Sequence, residues 1–201
     1  MNLKNFLNYP DHETTEEVLI RYENFFREAC ELGVELNSDE DFIQRCEKVS
    51  QAHLEEAEKQ LNIRLPPSYR SFVSKTGLFS GPKEYGLLPP HMLKSLSQML
   101  KEEGWPDDLG GDMAFRLSAE EVARFDQCII FSVGLYEGIY HYFRLDCTDA
   151  QTGEALVGTY DCEDYADHTD SFPPVEPPQI AGFDVHIQEV INVYIQNIIG
   201  S

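Results

Sequence analysis

The side chains able to do chemistry in this chain are few, and most stand where nothing would hold them in a reacting geometry. His168 lies among Asp161, Asp164, Asp167 and Asp170, one imidazole and four carboxylates that could take a divalent ion. They fall in DCEDYADHTDSFPPVEPPQI, a stretch with four prolines and no apolar period. A metal site needs ligands at fixed distances and an outer layer that orients them, and such a loop supplies neither. Asp107, Asp108 and Asp112 in WPDDLGGDM lack the alternate ligands and the closing Glu of a calcium loop. Gly110-Gly111 and the stretch from Gly134 to Gly138 have no strand-to-helix setting for a phosphate, and Ser132 has no glycine frame for a nucleophile elbow. His141, between Tyr140 and Tyr142, reads as a half-buried strand histidine. These residues call for no catalytic group, no metal and no cofactor. A hydrolase built on Asp and His is the reading they support least.

The five cysteines, Cys30, Cys46, Cys128, Cys147 and Cys162, form no C-x-x-C pair and no Cys/His cluster of zinc-finger spacing. Their odd number and apolar neighbours predict reduced, mostly buried thiols in a cytosolic protein. A reactive thiol wants an electropositive setting, which is scarce here. The net charge is −21, and it is unevenly spread. No Lys or Arg follows Arg144, whereas Asp146, Asp149, Glu154, Asp161, Glu163, Asp164, Asp167, Asp170, Glu176, Asp184 and Glu189 all do. A tail of one sign excludes nucleic acid and anionic membrane as partners, because their phosphates are repelled. It suits a basic partner or a cation, or else it is a solvated face that serves solubility.

With 201 residues and 42% hydrophobic side chains, the chain can bury a proper core as one large domain or a domain with an appendage. No apolar run approaches the roughly 20 residues of a membrane span. The opening MNLKNFLNYPDHE lacks a basic region and a cleavage site, so an unexported, cytoplasmic protein is expected.

The elements that must position any site follow from periodicity. Residues 1–12 form a loose lead-in, then Thr14 and Glu17 make a capping box before Val18, Tyr22, Phe25, Phe26, Ala29 and Leu32, and Gly33 closes that helix. Ser38 opens a second helix carrying Phe42, Ile43, Cys46 and Val49. Tyr85, Leu87 and Leu88 predict a short strand. A helix with Met92, Leu93, Leu96, Met99 and Leu100 on its buried side follows, and Ser118 with Glu121 caps a short one. From Cys128 the period turns alternating, and CIIFSVG, IYHYFRLDC and EALVGTYDC read as three antiparallel strands. In the middle one Ile139, His141, Phe143 and Leu145 share a face packed on helices. Tyr140, Tyr142 and Arg144 share the other, expected to stay partly open. Tyr and Arg dominate interface hot spots, and cross-strand packing suits them equally. Phe183 to Ile199 ends the chain as an apolar helix that should dock fully.

The stretch QAHLEEAEKQLNIRLPPSYRSFVSKTG, Gln51 to Gly77, organises the rest. Ser50 is an N-cap, Asn62 suits a left-handed helix end, Pro66 biases Leu65 to extended structure, and Pro67 fits a first helical turn. In this order and spacing, Ala57, Glu58, Leu61, Ile63, Leu65, Pro66, Tyr69, Phe72, Val73 and Gly77 resemble the opening of the SUKH superfamily. Fungal cell-wall and glucan-synthesis regulators and many bacterial toxin-immunity proteins belong to it. Phe143 to Asp146 and Val157 to Tyr160 are similar to its sheet pattern. The family's usual Gly after the helix is Asn62 here, and its Asn-Gly-Gly ending is reduced to Thr76-Gly77.

The resemblance implies an α+β fold: an antiparallel sheet meander flanked by helices over residues 50–201, with residues 1–49 as an N-terminal helical extension packed on it. It also implies a non-enzymatic protein-binding module, in bacteria an immunity protein, the alternative being a regulatory scaffold of the cell-wall type. Toxins of this kind are often nucleases with basic clefts, so a basic toxin domain is the expected partner. Tyr140, Tyr142, Arg144, Asp161, Glu163, Asp164, Asp167 and Asp170 are the expected partner-binding residues.

Overall fold

Helix ends in this protein fall where side chains can take up the backbone groups a helix leaves unbonded. The computed structural model describes residues 3–8, 13–36, 41–81, 85–102, 119–134, 139–161 and 182–200. Among them the helices are α1 (Thr15–Glu31), α2 (Gln51–Leu61), α3 (Pro67–Lys75), α4 (Leu96–Glu102), α5 (Ala119–Phe125) and α6 (Phe183–Gly200). The strands are β1 (Gln44–Arg45), β2 (Phe79–Ser80), β3 (Gly86–Leu87), β4 (Lys94–Ser95), β5 (Cys128–Val133), β6 (Ile139–Thr148) and β7 (Ala155–Asp161). Short 3-10 turns cover Leu3–Leu7 and Pro90–Met92. The Ser118–Glu121 box and the WPDDLGGDM loop lie outside the described residues and side chains.

Thr14 and Glu17 close the capping box of α1, with the Thr14 N–H donating to the Glu17 carboxylate at 2.8 Å. Ser50 Oγ accepts the His53 N–H at 3.2 Å to start α2, and Asn62 ends it at φ 54°, ψ 45°. Glu58 then holds the link, accepting the Leu65 N–H at 2.9 Å and an Arg70 N–H at 2.6 Å. Pro67 enters α3 without a side-chain cap from its predecessor. Glu154, from the turn between β6 and β7, supplies one by accepting from Ser68 N–H at 2.8 Å and Ser68 Oγ at 2.6 Å. A distant carboxylate thus satisfies the donors and complements the helix dipole.

The sheet is antiparallel in the order β1-β2-β3-β5-β6-β7, with β4 beside β3 along β5. This is the α+β arrangement with a strand meander that the alternating pattern implies. Its concentrated packing is aromatic. Phe131 of β5 stacks on Phe143 of β6 at 4.1 Å, and Tyr69 of α3 meets Phe143 at 5.3 Å and Phe183 of α6 at 5.4 Å. The other sheet face carries a smaller core of Leu96, Met99, Leu100, Phe125, Cys128, Ile130, Tyr142 and Tyr160.

Residues 41–49 do not form the helix expected to open at Ser38, which itself lies outside the described residues. Among those described, Gln44–Arg45 is an edge strand and Cys46 to Val49 belong to no helix. The cause is tertiary pairing: Cys46 N–H donates to Leu78 O at 2.8 Å and Val49 N–H to Val73 O at 2.9 Å. Gly77, at φ +105°, permits that approach, since a Cβ there would stand 2.6 Å from Cys46 O. The helix expected from Met92 begins only at Leu96, because Lys94–Ser95 pairs with Ile129–Ile130 instead, leaving Met92 exposed. The lead-in is firmer than expected: Phe6 packs edge-on against Phe25 at 5.6 Å, and Arg21 donates to Phe6 O at 2.9 Å. Cys30 and Cys46 are exposed, against the expectation of mostly buried thiols, whereas Cys128 is buried. The terminal helix docks along one side only, with Val185 and Val193 left in solvent. Among the described residues no helix is long and apolar enough to cross a membrane.

Deleting an aromatic anchor should therefore cost far more than trimming the outer face of the same helix. Phe183→Ala is expected to lose about 3–5 kcal/mol in urea unfolding, and Val193→Ala, 49% exposed, less than about 0.5 kcal/mol. Equal losses at the two positions would contradict this placement of the core.

Candidate functional site

Strand β6 carries three of the residues expected to bind a partner, and the sheet treats them differently. Tyr142 lies directly across from Gly158 of β7, where a Cβ would come within 2.6 Å of its ring. The missing side chain at Gly158 is what lets the tyrosine lie down on the sheet. Helices α4 and α5 contribute Met99 and Phe125 to the same core, and Tyr142 is only 4% exposed. Arg144 is 6% exposed, opposite Cys128, with its fork closed on Asp146 at 2.7 Å and 2.6 Å. The pair holds the Asp146 carboxyl below its usual range, and burial pushes the Cys128 thiol up to about 12. That thiol is packing, not a nucleophile.

The face expected to stay partly open is thus covered. Residues 96–102 and 119–125 close over it because Leu96, Met99, Leu100 and Phe125 need a surface to bury against. Tyr142 and Arg144 support that face from beneath and offer a partner almost nothing to touch. Tyr140 is half-buried and keeps part of its surface in solvent.

Asp161 stands at the same corner. Asp161 is the last residue of β7, paired in register with Ile139, and Tyr160 pairs with Tyr140. Glu163, Asp164, Asp167 and Asp170 lie outside the described residues, as do Cys162 and His168. The described residues that flank this acidic run stand at opposite ends of β7. Asp161 closes one end, and Gly182 lies beside the Glu154 carboxylate at the other, a Cβ there being 3.7 Å from Glu154 Oε2.

His141 sits on the large-core face, hydrogen-bonded through Nδ1 with Thr159 Oγ1 at 3.0 Å. Its ring packs 4.7 Å from His186 of α6 and 5.3 Å from Tyr85. His186 drew no attention in the sequence, although its place three residues after Phe183 puts it on the docked side of the helix. Its Nε2 is shut off from solvent and has no hydrogen-bond partner among the described residues. Burial pulls His141 down to about 4; burial, with the neighbouring His141, pulls His186 down to about 3. Both are neutral at pH 7, and two imidazoles in an aromatic nest are poor general bases. Among the described residues no three His, Cys, Asp or Glu side chains converge as metal ligands.

The arrangement offers contact rather than chemistry: a strand edge and corner tied to an acid-rich run, over a sealed core. The chain matches the SMI1 / KNR4 family (SUKH-1) over residues 48–173. No curated protein gives a match.

The histidine pair makes stability depend on pH in a defined direction. In the unfolded chain both protonate near 6.5, whereas the folded protein keeps them neutral to about 4 and about 3. Their stabilising contribution is full above pH 6.5 and falls as pH drops below it, by up to about 1.4 kcal/mol per pH unit for each. His186→Phe should remove one such proton uptake and flatten the decline in urea midpoint between about pH 6.5 and 5, where most carboxylates remain charged. An unchanged slope would mean His186 is protonated in the folded state.

Proposed function

The chain belongs to the SMI1 / KNR4 family, SUKH-1, and on that premise we propose that it is a non-enzymatic protein-binding module. In this reading it is a bacterial immunity protein that neutralises a cognate toxin in the cytoplasm. Domains of this family are generally protein-binding modules with immunity or regulatory roles. Residues 50–201 make up the binding domain and residues 1–49 an extension packed on it. The match beginning at residue 48 supports that division, and Arg21 of α1 donates to Asn192 of α6 at 2.8 Å.

The observation that carries the reading is where the one-signed charge is attached. After Arg144 the sequence has no Lys or Arg, and the acidic run begins at Asp161, whose backbone pairs with Ile139, the neighbour of Tyr140. Asp161, Glu163, Asp164, Asp167 and Asp170 form the partner surface, with Tyr140 as its aromatic contact and Tyr142 and Arg144 as its support. A basic toxin domain, such as a nuclease with a cationic cleft, is drawn to such a surface. Opposite potentials speed encounter and exclude competing nucleic acid.

The triple substitution Asp161/Glu163/Asp164→Ala should slow association with a basic toxin domain by about tenfold or more at low salt and flatten the salt dependence. Stopped-flow mixing at two ionic strengths measures both. An unchanged on-rate with unchanged salt dependence would sink the acidic-surface reading.

A further inference from the structure

At the end of the β6–β7 ribbon away from Asp161, a groove of about 710 Å³ runs between the α2–α3 link and the turn joining the two strands. Ile63, Leu65 and Leu145 form its apolar wall, and Arg64, Arg70 and Gln127 its polar rim. Among the described residues no carboxylate lines it, in a chain with 36 Asp and Glu against 15 Lys and Arg. The carboxylates on the neighbouring elements are already engaged. Glu58 holds Arg70 and the Leu65 N–H, and Glu154 holds Ser68. Asp149 accepts the N–H groups of Gln151 and Thr152, and Asp146 is closed on Arg144. Arg64 is exposed and takes none of them. Among the described residues, Arg64 is thus an uncommitted guanidinium next to an apolar wall in a net-acidic protein.

We propose that this groove docks an extended peptide segment of a partner protein, seating a carboxylate on Arg64 and an adjacent apolar side chain against Ile63, Leu65 and Leu145. The planar guanidinium can grip a carboxylate through two parallel N–H···O bonds, and the short apolar wall fixes which residue lies beside it. Nucleic acid and anionic membrane bring many phosphates toward a molecule of charge −21 and are repelled. A single carboxylate on an otherwise neutral segment is not. This contact lies at the opposite end of β6 and β7 from Asp161 and has the opposite sign, so either can fail without the other.

The test is an NMR titration of the full isotope-labelled chain with a short capped peptide of alternating Leu and Glu, beside its Leu and Gln counterpart. The Glu peptide should bind and shift the signals of Ile63, Arg64, Thr152 and Gly153, and the Gln peptide should not. Arg64→Glu should weaken binding by about tenfold or more, the scale of one charge-assisted hydrogen bond. Arg64→Lys should retain part of the affinity, and Arg27→Gln, on the exposed side of α1, should change nothing. The proposal is overturned if the two peptides bind alike, if the shifts fall elsewhere, or if Arg64→Glu binds as well as the parent. It is equally overturned if acetate at the same concentration reproduces the shifts, which would make Arg64 a general anion contact. Arg64 is solvent-exposed in the link, so its replacement leaves the core intact. If Arg64→Glu nevertheless alters the fold, Arg64→Gln and the shift map of the parent chain decide.

Discussion

Four rings hold this molecule in register. Phe131 stacked on Phe143 joins β5 to β6, and Tyr69 and Phe183 close over that pair from α3 and α6. Each ring comes from a different element, so no element can shift without opening the contact, and close-packed interiors transmit such shifts rather than absorb them. The polar devices nearby place the rings. Glu58 fixes the link that aims α3, and Glu154 caps that helix from the turn between β6 and β7. Asp184 accepts from both Thr15 N–H and Thr15 Oγ, which joins the start of α6 to that of α1.

Several of the described cations are spent on organising the fold. Arg21 binds Glu13, Arg45 binds Glu23, Arg70 binds Glu58 and Arg144 binds Asp146. Of these, the Arg144 fork is the most enclosed, and its desolvation is offset by two short hydrogen bonds. Because the positive charges lie before residue 145, the structural ion pairs and the excess negative charge are separated along the chain. The pairs lie in and around α1, α2, α3, β1 and β6, and the outermost strand, β7, leads into the surplus. Charge segregation of this kind favours fast, selective association with a basic surface more than it adds stability.

How far residue patterns could be read depended on how local the deciding interaction was. The capping box at Thr14, the left-handed Asn62 and the strand from Ile139 are decided within a few residues, and all three stand in the fold as expected. Ile43, Cys46 and Val49 carry helical spacing, yet Gln44–Arg45 is a strand, because hydrogen bonds to a segment more than thirty positions away outweigh a weak local preference. Alternation correctly divided His141 and Phe143 from Tyr142 and Arg144. It could not say what lay over the second set. His186 was missed for the same reason, since its partner is a strand residue that no short-range spacing relates to it.

Sequence by itself determined the class of fold, the family, the three-strand meander and the one-signed tail, because each rests on local periodicity, a compact run of residues or simple composition. Tertiary structure alone decided which side of the sheet is sealed, since that depends on where α4 and α5 find apolar surface to cover. It alone turned Tyr142 and Arg144 from expected contacts into support, by setting Gly158 and Asp146 beside them. It alone left Arg64 uncommitted among the described residues, because only folding brings the neighbouring carboxylates to their other donors. Burial and pairing are properties of distant residues brought together, and no spacing along the chain records them.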